Sequence, residues 1–303
     1  MQNESKRGRL KSGMAFSLVC FILFTPIVSL GWGPGGHMMV AQIAYDRLNP
    51  NAKTHANALL ALLIDPADIT KNSPDFVNAA HWPDDLRPVT AFKWSLELHF
   101  IDTPFSLDGT KFPPLSTSNI VSALQDNVNI LKTSTDQNAQ AQALRFIIHF
   151  VGDIHQPLHC TSRFSKALPD GDRGGNLVSI NIPGKNGAVK KTNLHSYWDG
   201  GLGTFPPAGP NFRPPPLSQI PAAAALAKKG NPDTDPALKL SPPFNFQTWA
   251  HESFALAKDV AYPGIKNGGT PTASYKSKGT KAARQRIAWG GYRLAALLNA
   301  IWP

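Results

Sequence analysis

Two cysteines in 303 residues cannot build a disulfide framework. Glutamate is nearly missing, occurring only at Glu4, Glu97 and Glu252, and charged residues make up 17% of the chain. That scarcity excludes a coiled coil or an array of charged helices. No internal repeat is visible, and no shift in composition marks a second domain. The long apolar run, Met14–Leu30, is interrupted by Pro26 and falls short of the ~20 residues a membrane span needs. What is present is enough for a globular protein. Hydrophobic residues reach 42%, which excludes a mainly disordered chain. Thirty Lys and Arg against 20 Asp and Glu give a net charge of +10, which suits phosphate-bearing partners. The 27 prolines and 24 glycines gather in a few stretches and imply long ordered loops.

Lys6, Arg7, Arg9 and Lys11 precede the apolar run, and Ser29 and Gly31 supply small residues before Trp32. Basic region, apolar region and cleavage site stand in the order of a signal peptide. Residues 1–31 therefore read as a cleaved signal peptide with no stable membrane anchor, and residues 32–303 as a single domain. A lipid anchor through Cys20 fits poorly, because Val19 stands where a small residue is needed. Cleavage removes four basic residues and Glu4, lowering the net charge from +10 to +7, and leaves Cys160 alone. The mature chain is expected to be exported, periplasmic or secreted, without an internal disulfide.

Periodicity from Trp32 onward is mostly helical. Met38–Leu48 and Lys53–Ile64 read as short helices. Ile120, Leu124, Val128 and Leu131 mark one face of a third, with Ser116–Ser118 as its capping region. Ala141–Ile154, Gln247–Val260 and Lys281–Trp302 complete the set, and Ala222–Lys229 reads as a short exposed helix. Only Leu177–Ile182 alternates like a strand. Pro/Gly-rich connections fill Thr103–Pro114, Ser162–Gly175 and Gly200–Pro221. The expected fold is mainly α with at most a small β-hairpin.

Nine histidines are distributed along this pattern, and several stand at helical spacing from an aspartate. His149 and Asp153 are i, i+4 and project from one helix face. His195 and Asp199 repeat the spacing in NLHSYWDGG. His159 follows Pro157, which should break the helix and re-aim that imidazole toward a different centre. A histidine on an apolar helix is ordinarily a hydrogen-bonded core residue. Two such pairs plus His159, among Phe146, Ile147, Ile148, Phe150 and Val151, ask for more, because a buried Asp153 needs a compensating charge. A metal ion is the simplest candidate, and imidazole with carboxylate is a zinc-type donor set.

The segments WGPGGH (32–37), WPDDLR (82–87), LHFID (98–102), HFVGDIHQPLH (149–159), GDRGGN (171–176), NLHSYWD (193–199) and GGYRLAALLN (290–299) recur in family order in a known group. In them the sequence closely resembles the zinc-dependent type I nucleases: fungal single-strand nucleases, plant bifunctional nucleases and protozoan 3′-nucleotidase/nucleases, which share a fold with bacterial zinc phospholipase C. The resemblance implies a phospholipase C/nuclease-type helical fold holding three Zn²⁺. One zinc would take Asp84, His99, His149 and Asp153. A second would take His159, His195 and Asp199. The third would take His37, Asp153 as a bridge, and the amino nitrogen and carbonyl oxygen of Trp32.

The resemblance also implies hydrolysis of single-stranded DNA and RNA to 5′-nucleotides and of 3′-nucleotides, by a chain with no obligate protein partner, expected to be monomeric. Zinc lowers the pKa of bound water to about 7 and clamps phosphoryl oxygens. Asp84 and Asp153 would serve catalysis as ligands, and Arg87 would meet charge on the phosphate; a surface salt bridge is its alternative reading. Phe100 would stack on a base and Asp102 would accept from base edges, while core packing is the alternative for Phe100. Asn176 would either line the cleft for substrate or only shape its loop. His55, His81, His155 and His251 match no ligand position, and Cys160 reads as a small buried hydrophobe. Two rivals remain at this level: a zinc-dependent phospholipase C, and a non-catalytic exported zinc-binding protein. Aspartate at 199, the short spacing from Trp32 to His37, and Phe100 with Asp102 count against the first. The presence of Arg87, Phe100 and Asp102 counts against the second.

Overall fold

The computed structural model describes residues 31–64, 73–210 and 213–303. The expected signal peptide, apart from Gly31, lies outside the described residues. The fold is mainly helical. In chain order the helices are α1 (Pro34–Tyr45), α2 (Pro50–Leu60), α3 (Trp82–Asp85), α4 (Ile120–Thr133), α5 (Gln137–Asp153), α6 (Leu194–Asp199), α7 (Ile220–Lys228), α8 (Phe246–Leu256) and α9 (Ala273–Ile301).

Local chemistry sets their starts. Pro34 and Pro50 occupy first-turn positions, where a missing N–H costs nothing. Asn119 caps α4 through a box with Ser122, so the cap is Asn119 rather than the preceding serines. Asp136, Asn193 and Thr272 cap α5, α6 and α9 with side-chain oxygens. Helix α9 begins eight residues before the expected Lys281, because its first turns are polar and show no apolar stripe. Helix α7 is half-covered rather than simply exposed, burying Ile220, Ala224 and Ala227.

Helix α5 is the central element, buried continuously from Ala143 to Asp153, with α4 packed along it and α1 and α9 crossing beside it. Its burial forces the polar groups of its last turns to find partners inside the protein. Behind the turn that follows α5, Arg286 and Arg293 of α9 are almost fully buried against Glu252 of α8. Arg286 Nε donates to the carbonyl of His155 (3.3 Å), and Arg293 Nη1 lies 3.0 Å from His155 Nε2. Three charged groups thus hold the connection between Asp153 and His159.

The expected hairpin is present: β3 (Ser179–Pro183) pairs antiparallel with β4 (Val189–Asn193), Ser179 opposite Asn193. A second pair was not expected. Strands β1 (Pro104–Ser106) and β2 (Ser162–Phe164) run parallel, Pro104 opposite Ser162. They are three residues each, too short to show an alternation. Together with Ile101 N–H donating to the His159 carbonyl (2.8 Å), they fix the segment after His99 beside the segment after His159. No helix among the described residues is long and apolar enough to cross a membrane.

Candidate metal centre

Helix α5 ends at Asp153, and a 3₁₀ turn begins at Pro157, so His159 leaves the helix axis and turns toward α6. Three adjoining groups result, each with its candidate ligand atoms within 4.8 Å of one another: His37, His149 and Asp153; Asp84, His99 and His149; and His159, His195 and Asp199. All eight of these residues are buried. Asp153 stands at the junction. Its Oδ1 lies 3.2 Å from His37 Nε2, and its Oδ2 lies 3.0 Å from both His99 Nδ1 and His149 Nε2. Asp84 Oδ1 is 3.8 Å from His99 Nδ1 and 3.7 Å from His149 Nε2.

Backbone carbonyls set the tautomers. Nδ1–H of His149 donates to Ala80 O, that of His159 to His99 O and that of His195 to Gly174 O, each at 2.7 Å. A carbonyl only accepts, so all three rings carry a proton on Nδ1 and present Nε2 to the centre as the atom a metal would take. This is the orientation that metal-ligating imidazoles adopt. Nε2 of His99, His159 and His195, both ring nitrogens of His37, and Asp153 Oδ1 are buried without a hydrogen bond. Buried polar atoms left so are costly, and some of them face a carboxylate here: His37 Nε2 lies 3.2 Å from Asp153 Oδ1 and His195 Nε2 3.5 Å from Asp199 Oδ1. The donor set and its exposed lone pairs fit bound metal.

Charge in the cluster follows the same logic. Burial, and next the neighbouring His149, lower His37 to about 4. Burial also lowers His99, and burial with His159 lowers His195 well below the usual range. At His149 burial pulls downward, but Asp153 and Asp84 outweigh it and raise the ring to about 8. Burial opposes ionisation of Asp153, yet His149, His159 and His37 around it hold its carboxyl well below the ordinary value. Burial raises Asp199 well above the ordinary value, against a 2.7 Å hydrogen bond from Gln156 Nε2. One cationic ring, several neutral ones and the two ionised carboxylates of Asp84 and Asp153 leave a site that accepts more positive charge.

Arg87, at the end of the turn after α3, directs Nη2 to Asp84 Oδ1 at 2.7 Å and stays partly open to solvent. Trp32 is fully buried and packs on Phe205, ring centroids 5.5 Å apart. Its neighbour Gly33 donates to the Asp199 carbonyl (2.9 Å). Gly152 lies so close to His37 that a Cβ there would fall 2.6 Å from Nδ1, which fixes α1 against α5 at this point. Phe100 and Asp102 share a cavity of about 350 Å³ with Glu97, Phe164, Asp170 and Arg173. Burial, and next Asp172, raise Asp102 to about 6, against the pull of Arg173. Asn176 points elsewhere: its amide donates to Arg173 O (2.8 Å) and lies 3.1 Å from His195 Nδ1.

Sequence reasoning missed Gln156, which fixes Asp199, and Arg173, which walls the cavity with a left-handed backbone (φ 54°). Both fall inside segments already singled out, HFVGDIHQPLH and GDRGGN, but neither has a spacing that announces its role. His81 is buried on Asp85 (2.6 Å) and His155 on the buried arginines, while His55 and His251 are exposed. Cys160 is fully buried, and burial pushes its thiol up to about 12.

A mainly helical chain with three adjoining His/Asp groups has the architecture of a metal-binding hydrolase. The sequence model of the S1/P1 nuclease family matches residues 32–303, and the chain belongs to that family. It is 29% identical to Endonuclease 2 of Arabidopsis thaliana, over 90% of this chain and 91% of that one. It is 29% identical to Nuclease P1 of Penicillium citrinum (89% and 97%) and 27% identical to Nuclease S1 of Aspergillus oryzae (90% and 93%).

Proposed function

We propose that the chain is an exported trinuclear-zinc phosphodiesterase that hydrolyses single-stranded DNA and RNA to 5′-nucleotides and also removes phosphate from 3′-nucleotides. The observation that carries this reading is Asp153, with one carboxylate oxygen toward His37 and the other toward His99 and His149. Residues 1–31 are a cleaved signal peptide, and residues 32–303 form one domain. Asp84, His99, His149 and Asp153 hold one zinc; His159, His195 and Asp199 hold a second; Trp32, His37 and Asp153 hold a third. Bound zinc supplies a nucleophile at neutral pH and Lewis-acid stabilisation of phosphoryl oxygens.

The remaining work belongs to the chain itself. Arg87, already oriented by Asp84, places a planar guanidinium where equatorial phosphate oxygens gain charge. Half-buried Phe100 offers a ring face to one unstacked base, and Asp102 accepts from that base's edge in the same cavity. A base held this way has left the helical stack, so single strands and free nucleotides are preferred. Asn176 acts beside His195 rather than in the Phe100 cavity. Cys160 takes no part.

Assays of single-stranded DNA, RNA, 3′-AMP and phosphatidylcholine side by side test the reading. The first three are expected to be cleaved. Cleavage of the lipid alone would assign the chain to the phospholipases, and no turnover with zinc bound would make it a zinc-binding protein only.

A further inference from the structure

Helix α9 has no acidic residue anywhere in its 29 positions, yet its first twelve residues carry Lys276, Lys278, Lys281 and Arg284. Local electrostatics oppose that arrangement. Cations near a helix N-terminus face the positive end of its dipole, and Lys278–Lys281 and Lys281–Arg284 are like-charge pairs at i, i+3. Arg286 and Arg293, further along, share the carboxylate of Glu252. The earlier cations are not: among the described residues no ion pair involves Lys229, Lys276, Lys281 or Arg284. These four side chains line a trough of about 520 Å³ between the end of α7 and the start of α9, and no carboxylate lines it.

The trough is held in fixed relation to the metal centre. Trp198, next to Asp199, donates from Nε1 to Tyr275 OH on the first turn of α9 (2.8 Å). Gly279 lies so close to the segment after α6 that a Cβ would fall 2.5 Å from Leu202 Cδ2. From Lys276 to Arg284 the helix rises about 12 Å, the length of three to four stacked nucleotides at about 3.4 Å each. The lining has no large apolar side chain to insert into lipid.

We propose that this groove binds the phosphodiester backbone of the single-stranded nucleic acid that the chain cleaves, as a second contact outside the metal centre. The proposal rests on the nuclease reading above. Such a contact is sequence-independent, releases counterions from the strand and adds nothing to cleavage of a dinucleotide too short to reach it.

The test is the triple variant Lys229→Ala, Lys276→Ala, Lys281→Ala, whose substitutions are on exposed positions. With a long oligodeoxynucleotide, KM is expected to rise about tenfold at low salt, and the slope of log KM against log salt to shrink by about 2 for three lost contacts. Kinetics on a dinucleoside monophosphate should match the unaltered chain, and the triple Lys→Arg variant should behave as wild type. An unchanged KM and salt slope on the long strand would overturn the proposal. Fluorescence anisotropy with a labelled phosphorothioate strand reads the groove apart from turnover. If the unaltered chain binds this strand more tightly than the variant but cleaves neither substrate, the groove stands and the nuclease reading fails. If both proteins bind it equally, the groove fails even where cleavage is normal. Loss of binding to phosphatidylglycerol vesicles with strand binding intact would overturn it in favour of a membrane surface.

Discussion

The imidazole of His37 lies flat against that of His149, ring centroids 3.9 Å apart and planes 13° from parallel. One ring comes from α1 and the other from the last turns of α5, so two distant parts of the sequence meet face to face. Two stacked imidazolium ions would repel, and burial with the charge on His149 keeps His37 neutral at ordinary pH, down to about 4. The stack leaves the Nε2 atoms of both rings beside the same carboxylate, Asp153, which is how one side chain comes to serve two groups.

Asp153→Asn should therefore cost more metal than any other single change in the centre. Both carboxylate oxygens are engaged, so an amide, with one weaker acceptor and a donor, disturbs two groups together. Elemental analysis of the purified variant is expected to show a loss approaching two zincs per chain. Retention of three would refute the bridge.

Binding and chemistry separate at Phe100 and Arg87. Phe100 lines a cavity that includes none of the candidate metal ligands, and stacking acts alike in ground and transition states. Phe100→Ala should raise KM for nucleotides roughly tenfold with little change in kcat, from about 1–3 kcal/mol of lost stacking. Arg87→Ala should lower kcat by about 10² to 10³ with a smaller change in KM. The opposite pattern would mean that the two residues exchange roles.

Asp102 gives a pH signature. Its folded value, raised to about 6, means that it binds a proton over a range where a free carboxylate would not. Above about 6 the ionised group accepts from base amino groups; as pH falls through that value the acceptor is lost and KM should rise. Linkage runs the other way: a raised carboxyl binds more protons folded than unfolded, so its contribution to stability falls as pH rises from 3.8 through 6, while binding improves. KM measured across this range in wild type and Asp102→Asn decides the matter. The variant should lack the step near pH 6, and a step that survives there belongs to another group.

Most of the centre was legible because its residues are bound by short-range rules. The i, i+4 pairs His149/Asp153 and His195/Asp199 need only one helical turn each, and a proline between Asp153 and His159 announces the change of direction. What was not legible depends on distant contacts. Strands β1 and β2 are set by the docking of His99 against His159, not by propensity, and β4 reads VKKTN with no apolar alternation. The polar start of α9 is helical because Gly279 and Tyr275 dock on Leu202 and Trp198, which no local pattern encodes. Arg286 and Arg293 are buried with Glu252, a pairing between helices that no local spacing announces. Asn176, a candidate for the cleft, turns to Arg173 and His195 because the run Gly171–Gly175 takes left-handed backbone at four of its five positions.

The residue before Trp32 stands against the His37/Asp153 group. A Cβ at Gly31 would fall 1.6 Å from Asp153 Oδ1 and 2.8 Å from His37 Nε2, so the peptide that precedes Trp32 presses directly on the His37/Asp153 group. In a chain that begins at Trp32 that space is released, and the terminus becomes a free amine. An α-amine has a pKa of about 7.7–8.0 and offers a lone pair to a competing metal. An amide nitrogen has its pair delocalised into the carbonyl and coordinates poorly. Any residue retained before Trp32, even a single Met, is therefore expected to displace or distort the third metal. The groups built on Asp84, His99 and His149, and on His159, His195 and Asp199, draw on internal side chains and should still fill. Such a protein should fold and bind about two zincs but turn over slowly. The comparison is between Met-Trp32–Pro303 and the exported form, with both N-termini confirmed by mass spectrometry and with zinc content and kcat measured on each. Equal kcat with three zincs in the Met-extended chain would remove the Trp32 amine from the centre and leave His37 and Asp153 to hold that metal with water.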